Sequence, residues 1–153
     1  MVRTTVRDAG PDDASALVRI RVVMLEGIGK PVDDLSWVPV AEVALRGQLE
    51  SGEMIGELAE VDGTVAAGAL ARVWRQLPGP DDDGSRAWIF SVATEVEYRR
   101  QGLARAVVTR LVDRLDALEV ARIDLTASDE GEGLYRSLGF EHSPAPLLRR
   151  WRQ

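Results

Sequence analysis

The chain has 153 residues, a formal net charge of −6, one histidine and no cysteine. The missing cysteines exclude disulfides, thiolate metal sites and a cysteine acyl-enzyme, and a single histidine excludes an HExxH zinc site. The chain has no basic block beyond the doublets Arg99-Arg100 and Arg149-Arg150. We therefore expect no nucleic-acid partner, because general affinity for nucleic acid needs a concentrated cationic surface.

Length and hydropathy predict one domain that spans residues 1–153 and is large enough to bury a core. No apolar run approaches the roughly 20 residues of a membrane span. The opening residues MVRTTVRDAG contain no apolar signal-peptide core. We therefore expect a cytoplasmic protein with no membrane partner. The acidic balance either steers cationic, amine-bearing substrates toward the chain or only keeps its surface soluble.

The first third of the chain predicts a short strand and two helices. Thr4–Arg7 has the character of a short strand. Pro11, with carboxylates on both sides, predicts the first turn of a helix that ends near Leu25. Ser36 can cap a second helix that continues through Leu49.

A hairpin and a third antiparallel strand follow. Asp62-Gly63 separates two apolar runs and favours a tight hairpin turn between strands Glu57–Val61 and Thr64–Trp74. The segment Gln76–Ser85 is rich in proline, glycine and aspartate, which predicts a loop. This loop returns the chain antiparallel into a strand that begins at Trp88.

Three segments admit more than one interpretation. The connection Gly27–Trp37 either overhangs a site or is a plain loop in which Trp37 holds the second helix to the core. Gly68 and Ala69 allow close approach of another backbone or a ligand, or else mark a bulge or a helix-packing site. The run Asp81–Asp83 is a solvated hairpin loop or, against the missing EF-hand spacing, a calcium loop.

The stretch from Trp88 to Leu118 organises the rest of the chain. Trp88–Val92 reads as a strand, a charged turn follows, and leucines at helical spacing predict a helix after Gly102. A strand that feeds a glycine-containing turn and then a helix presents unpaired N–H groups to an anion, most often a phosphate. Arg99 and Arg100 add positive charge where a pyrophosphate can bind.

The C-terminal part predicts a strand at Ala121–Ala127, a short helix from about Glu130 to Leu138, and a last strand between Phe140 and Trp151. Gly139 ends the short helix, and two prolines interrupt the last strand. Strand, helix and strand in succession predict a parallel, right-handed crossover. The order β-α-α-β-β-β-α-β-α-β predicts an α/β fold, a mixed sheet with helices on both faces.

The segment Arg99–Ala104, RRQGLA, matches the pattern [RQ]-x-x-G-x-[GA], and Leu134–Phe140 reads LYRSLGF. From about Trp88 to Phe140 the chain resembles the GNAT family of N-acetyltransferases, whose fold has the predicted order of elements. The chain departs from the family pattern at Val96, where a proline is usual. It departs again at Glu119-Val120, where a glycine is often found.

The resemblance implies that acetyl-CoA is the cosubstrate and that no metal takes part. The pantetheine arm pairs with Val92 and Thr94 as a strand would, and the turn before the long helix wraps the pyrophosphate with main-chain N–H groups. The implied contacts are Val92, Ala93, Thr94, Arg99, Arg100, Gln101, Gly102, Leu103, Ala104, Ser128 and Tyr135. Tyr135 also protonates the departing thiolate, because a phenol and a thiolate have similar basicity, unless it only packs under the sheet.

The implied reaction is direct attack by a primary amine of a small molecule, peptide or protein on the acetyl-CoA carbonyl. The general base stays open among the carboxylates Glu57, Glu60, Glu95 and Glu97, and His142 reads as a surface or last-strand residue. The competing hypotheses are a non-catalytic acyl-CoA sensor and an interaction domain with a purely structural glycine turn. The acceptor, acyl donors other than acetyl, and a possible homodimer are also left open.

Overall fold

The computed structural model describes residues 1–153, which form a single five-stranded sheet with four helices. The strands lie side by side in chain order. The first four are antiparallel neighbours, and the fifth is parallel to the fourth, as the crossover predicted. The strands are β1 Thr4–Asp8, β2 Met54–Val61, β3 Thr64–Arg75, β4 Ser85–Thr94 and β5 Arg122–Asp124. The helices are α1 Ala14–Gly27, α2 Val38–Ser51, α3 Leu103–Ala117 and α4 Glu132–Ser137.

The hairpin between β2 and β3 forms as predicted. Val61 pairs with Thr64, and the two residues between them, Asp62 and Gly63, have φ values of 50° and 83°. Positive φ at both central residues is the requirement of the type I′ turn, whose twist matches that of the flanking strands. The dipeptide therefore sets the register of the longest part of the sheet.

The helices cover both faces of the sheet, as the order of elements predicted. On one face, Leu17 of α1 and Leu45 of α2 pack with Leu58 and Leu70 of the central strands. On the other face, α3 buries its apolar side (Leu103, Val107, Val108, Leu111 and Leu115) against small residues of β3 and β4. Alternating side chains along a strand account for this division. No helix combines the length and the apolar character that crossing a bilayer requires.

The start of α2 differs from the prediction. Ser36 does not cap α2, because the helix begins at Val38 and the Ser36 N–H donates to the Asp34 carboxylate. Trp37 occupies the cap position without a side-chain hydrogen bond, and its ring packs against the core between α1 and α2. The end of the connection next to α2 is therefore held to the core by Trp37, as one of its two interpretations expected.

The predicted last strand is wrong. Residues 141–153 contain no strand, and every one of them is exposed. Pro144 and Pro146 lack the N–H groups that a sheet ladder needs, so this segment cannot pair regularly. The preceding strand is also shorter than predicted, since β5 covers Arg122–Asp124 rather than Ala121–Ala127.

The run Asp81–Asp83 lies in the loop of the β3–β4 hairpin, and Gly68 of β3 packs against a helix. Asp82 accepts hydrogen bonds from the Gly84 N–H and Arg86, and Asp83 accepts from Ser85, so these carboxylates serve the β3–β4 hairpin loop. The bonds to Asp83 lower the pKa of its carboxyl to about 2. A Cβ at Gly68 would lie 3.2 Å from a Leu17 methyl, so this glycine admits α1.

Candidate active site

The site opens where β4 and β5 separate. The two strands pair only at Arg86–Arg122, Ala87–Ile123 and Trp88–Asp124. Beyond Trp88, β4 has no neighbour on that side, and a cavity of about 830 Å³ occupies the gap and its mouth. All predicted cofactor contacts except Gln101 and Tyr135 line this cavity: Val92, Ala93, Thr94, Arg99, Arg100, Gly102, Leu103, Ala104 and Ser128. The residues predicted from the sequence thus form most of the cavity wall at the end of β4 and the start of α3.

A β-bulge lies at the point of separation. Gly68 pairs with Ala93 and Leu70 pairs with Phe90, so Ser91 and Val92 together face a single residue of β3. Ser91 has φ of 52°, an uncommon value for a residue other than glycine. Such a bulge bends the strand and re-aims the backbone beside it. The sequence analysis allowed a bulge at Gly68 and Ala69, which lie opposite this one in β3, but it did not place the extra residue at Ser91, because serine carries no signal for a left-handed backbone.

The turn before α3 is an anion-accepting backbone. Arg100 and Gly102 both have positive φ, 65° and 76°, and α3 starts directly after Gly102. The first helical N–H with an acceptor is that of Ala106, so the N–H groups of residues 100–105 have no partner within the chain. Successive free N–H groups at the positive end of a helix dipole favour a phosphate.

Positive side chains surround this turn. Arg99, Arg100 and Arg105 all line the cavity. The Arg99 Nε donates to the Thr94 carbonyl at 3.1 Å, which closes the turn. A Cβ placed on Gly102 would have no heavy atom within 4 Å, so glycine serves the backbone conformation and leaves open space in front of it.

Tyr135 lies in a neighbouring cavity rather than in the main one. It lines a pocket of about 330 Å³ formed by β5, α4 and the residues that follow each of them, with its ring edge-on to Phe140 at 6.0 Å between centroids. A Cβ at Gly131 would lie 3.2 Å from Cε2 of Tyr135 and 3.3 Å from Oγ of Ser128, so both side chains meet at this glycine. Burial raises the pKa of the Tyr135 phenol, and its hydroxyl has no acceptor in the chain.

None of the predicted base candidates (Glu57, Glu60, Glu95 and Glu97) lines either cavity. Glu57 is fully buried and bonded to Arg114 at 2.6 Å. His142 is exposed, pairs with Glu132 and lies in no strand. The carboxylates that do line the main cavity are Asp129 and Glu130, which follow Ser128.

The end of α1 forms a wall that the sequence analysis missed. Val23, Met24, Gly27 and Ile28 line the main cavity. Their spacing places them on one face of the helix end, which sequence alone cannot distinguish from a core-facing stripe. Of the predicted overhanging connection, only Gly27 and Ile28 reach the site. The remaining residues of that loop lie elsewhere.

The fold and the site together define a class of protein. Two parallel strands that separate over a helix start with free N–H groups form a site for an extended ligand that carries a phosphate. The acetyltransferase (GNAT) family matches residues 32–140, which is most of the chain. The chain belongs to the GNAT family of acetyltransferases. This confirms the resemblance found in the sequence.

Individual relatives match over shorter stretches. The [ribosomal protein bS18]-alanine N-acetyltransferase of Escherichia coli (strain K12) is 38% identical over 60 residues, which cover 37% of this chain and 40% of that enzyme. The GCN5-related N-acetyltransferase 2, chloroplastic, of Arabidopsis thaliana is 36% identical over 63 residues, 41% of this chain and 24% of the relative. The chain thus matches less than half of the length of these curated relatives.

Solved structures match over nearly the whole chain. A predicted acetyltransferase from Clostridium acetobutylicum, crystallised with acetyl-CoA, superposes with a TM-score of 0.85 at 23% identity, over 97% of this chain and 96% of that one. A GCN5-related N-acetyltransferase from Ralstonia eutropha JMP134 has a TM-score of 0.79 at 21% identity, over 97% and 99%. These likenesses confirm the predicted GNAT fold.

Proposed function

We propose that this chain, as one GNAT domain, transfers an acetyl group from acetyl-CoA to a primary amine. The observation that carries the proposal is the run of unpaired N–H groups at residues 100–105, open to the cavity between β4 and the end of α1. Support also comes from the family and from the Clostridium acetobutylicum protein, whose crystals contained acetyl-CoA.

The residues present fit acetyl-CoA along its length. The N–H groups after Arg99 and the guanidinium groups of Arg100 and Arg105 suit a pyrophosphate. The unpaired edge of β4 beyond Trp88 offers backbone groups to the amides of the pantetheine arm, in the manner of an added strand. A cavity of about 830 Å³ lies within the range of pockets that enclose ligands of this size.

The chemistry requires one bond to form and one to break. The amine nitrogen bonds to the acetyl carbon, the carbon–sulfur bond breaks, and the nitrogen loses a proton to a base or to water. The N–H of Val92, one of the two residues of the bulge, polarises the carbonyl. Tyr135 donates its proton to the departing thiolate, because a phenol carries its proton at neutral pH and burial raises the pKa of this one further.

The acceptor is an amine of a small molecule, a peptide or a protein. The Escherichia coli relative is named for an alanine of ribosomal protein bS18, which makes a protein amine one candidate. The cavity wall at Val23, Met24 and Ile28 is apolar and faces the end of β4, where an acceptor would approach.

Calorimetric titration with acetyl-CoA, with NAD and ATP as controls, tests the proposal first. We expect micromolar affinity for acetyl-CoA and no comparable heat with NAD or ATP, followed by thiol release when the correct amine is added. Equal binding of all three, or of none, would contradict the proposal. Acetyl-CoA binding without thiol release from any amine would favour the sensor hypothesis instead.

A further inference from the structure

Arg21 is a half-buried cation without a carboxylate partner. Other arginines of the fold are paired, as Arg19 is with Glu95, Arg86 with Asp82, and Arg114 with Glu57. The only hydrogen bond of Arg21 runs from Nη1 to the Ser91 hydroxyl, at 2.7 Å. Burial lowers the pKa of the Arg21 guanidinium, and no anion offsets that effect. The fold thus keeps a desolvated positive charge uncompensated.

The bulge of β4 holds this guanidinium in one orientation. In a regular strand, consecutive side chains point to opposite faces of the sheet. Here Phe90 and Ser91 both contact Arg21, the ring lying 5.7 Å from the guanidinium carbon and the hydroxyl accepting its hydrogen bond. Stacking on an aromatic ring and one fixed hydrogen bond together orient the planar group.

The remaining donors of Arg21 stay open. A guanidinium has five N–H groups, and only one hydrogen bond, to Ser91, is made within the chain. Only one buried side-chain nitrogen or oxygen lacks a hydrogen-bond partner, the Nε of Arg86. The unpaired nitrogens of Arg21 are therefore accessible to solvent. The open N–H groups are therefore recessed but reachable by a ligand, and their planar fork matches a carboxylate or a phosphate.

The position of Arg21 relates these donors to the active site. Ser91 immediately precedes Val92, a wall of the main cavity, and Arg21 lies just before Val23 and Met24, which line the same cavity. Arg21 itself lines neither cavity, but its Nη1 bonds to the hydroxyl of Ser91, the residue before the Val92 backbone that the proposed function assigns to the acetyl carbonyl. When an amine attacks the acetyl carbonyl at Val92, its other substituents would lie near Arg21.

We propose that Arg21 binds an oxyanion of the acceptor, so that the substrate is an amine that also carries a carboxylate or a phosphate. This inference rests on the proposed function, because it names the substrate class of the same site. The oxyanion takes the open N–H groups of Arg21 and supplies the missing countercharge. Arg21 is then the residue that distinguishes anionic amines from neutral ones.

NMR of the Arg21 side chain tests the inference whatever the natural acceptor is. The Nε–Hε resonance is assigned by its loss in Arg21→Gln. The CoA-saturated protein is then titrated with N-acetylglycine, N-acetylglycinamide and N-acetylated phosphoethanolamine. We expect one or both anions to shift the resonance and the neutral amide to leave it in place. The anion that shifts it distinguishes carboxylate from phosphate, and no shift with either anion overturns the inference.

Kinetics with matched amines supply the second readout. Between an amino acid and its carboxamide, or phosphoethanolamine and ethanolamine, the wild type should prefer the anionic member. Arg21→Gln should raise KM for that member by about 10- to 100-fold, the effect of losing a charged hydrogen bond, and leave KM for acetyl-CoA unchanged. Arg21→Lys should restore part of the preference. Equal effects of Arg21→Gln on both members would contradict the inference.

Ser91→Ala is the matched control for a merely structural role. It removes the hydrogen bond that Arg21 makes to the bulge but keeps the guanidinium. If Arg21 only supports the bulge, Ser91→Ala and Arg21→Gln will act alike; if it binds an anion, Ser91→Ala will keep the preference for anionic amines. Calorimetry with acetyl-CoA on the same samples separates the two proposals. Absent acetyl-CoA binding refutes the proposed function, whereas intact binding without anion preference refutes only the inference.

Discussion

The two halves of the sheet, β1–β4 and the β4–β5 edge, differ in how completely their strands are paired. We call the first the closed side and the second the open side. From β1 to β4 the strands pair along most of their length, with β3 and β4 joined from Ala67–Thr94 to Arg75–Ser85. On the other side, β5 contributes three residues, and no residue after Leu115 is buried. The closed side supplies the core, and the open side supplies unpaired backbone. The proposed ligand site therefore lies where strand pairing stops.

The closed side can be broken by removing core volume. Leu111 of α3 is fully buried, so Leu111→Ala should lower the free energy of unfolding by about 2 to 5 kcal/mol. Leu118, just past the end of α3, is 58% exposed, and Leu118→Ala should change stability by no more than about 0.5 kcal/mol. Urea denaturation measures both. Similar losses for the two variants would mean that α3 does not anchor the core as described.

The open side can be broken by charge without loss of the fold. Gly102→Glu places a carboxylate before the free N–H groups of residues 100–105 and should weaken acetyl-CoA binding by about 100- to 1000-fold. Gly102→Ala is the matched control, because it carries the same left-handed strain, about 1 to 2 kcal/mol, without the charge. Calorimetry compares the two. Unchanged affinity in the glutamate variant would remove the anion site from this turn.

The chemical step can be separated from binding at Tyr135. Tyr135→Phe should lower turnover by about 10- to 100-fold and leave acetyl-CoA affinity unchanged. A proton donor with a raised pKa keeps its proton to higher pH than a free phenol, so loss of the Tyr135 proton should lower wild-type activity only on the alkaline side of the profile. The variant should lack that alkaline limb in its pH–rate profile. Wild-type turnover in the variant would assign the proton donation to water or Ser128.

The smallest effect concerns the hairpin loop at the closed end of β3 and β4. The folded pKa of Asp83, about 2, lies below its usual 3.8, so the native state binds fewer protons than the unfolded chain between these values. Its stabilising effect is complete above the usual pKa and disappears as the pH falls through the folded one. Asp83→Asn should therefore unfold at a lower temperature than wild type at neutral pH, and this difference should vanish near pH 2. A constant difference in thermal midpoint would contradict this assignment.

Short-range patterns predicted most of the fold correctly. The Asp62-Gly63 turn and the α3 stripe that includes Leu111 depend on neighbours in sequence, and both formed where expected. The same holds for the turn at Gly102, whose glycine meets a local backbone requirement. The prediction of a last strand was wrong because apolar residues such as Leu147 and Trp151 favour a strand, whereas Pro144 and Pro146 prevent regular pairing.

The candidate active site shows the same contrast between features set by local sequence and features set by long-range packing. Contiguous motifs in the sequence were enough to identify the family, the turn with free N–H groups before α3 and the residues of β4 that border the gap. Packing between distant segments established that β4 and β5 part after Trp88, that Ser91 lies in a bulge, and that Tyr135 lines a second cavity. It also brought Arg21 to Ser91, 70 positions away. Contacts at such separations depend on the tertiary structure, because no local pattern encodes which distant side chain will meet them.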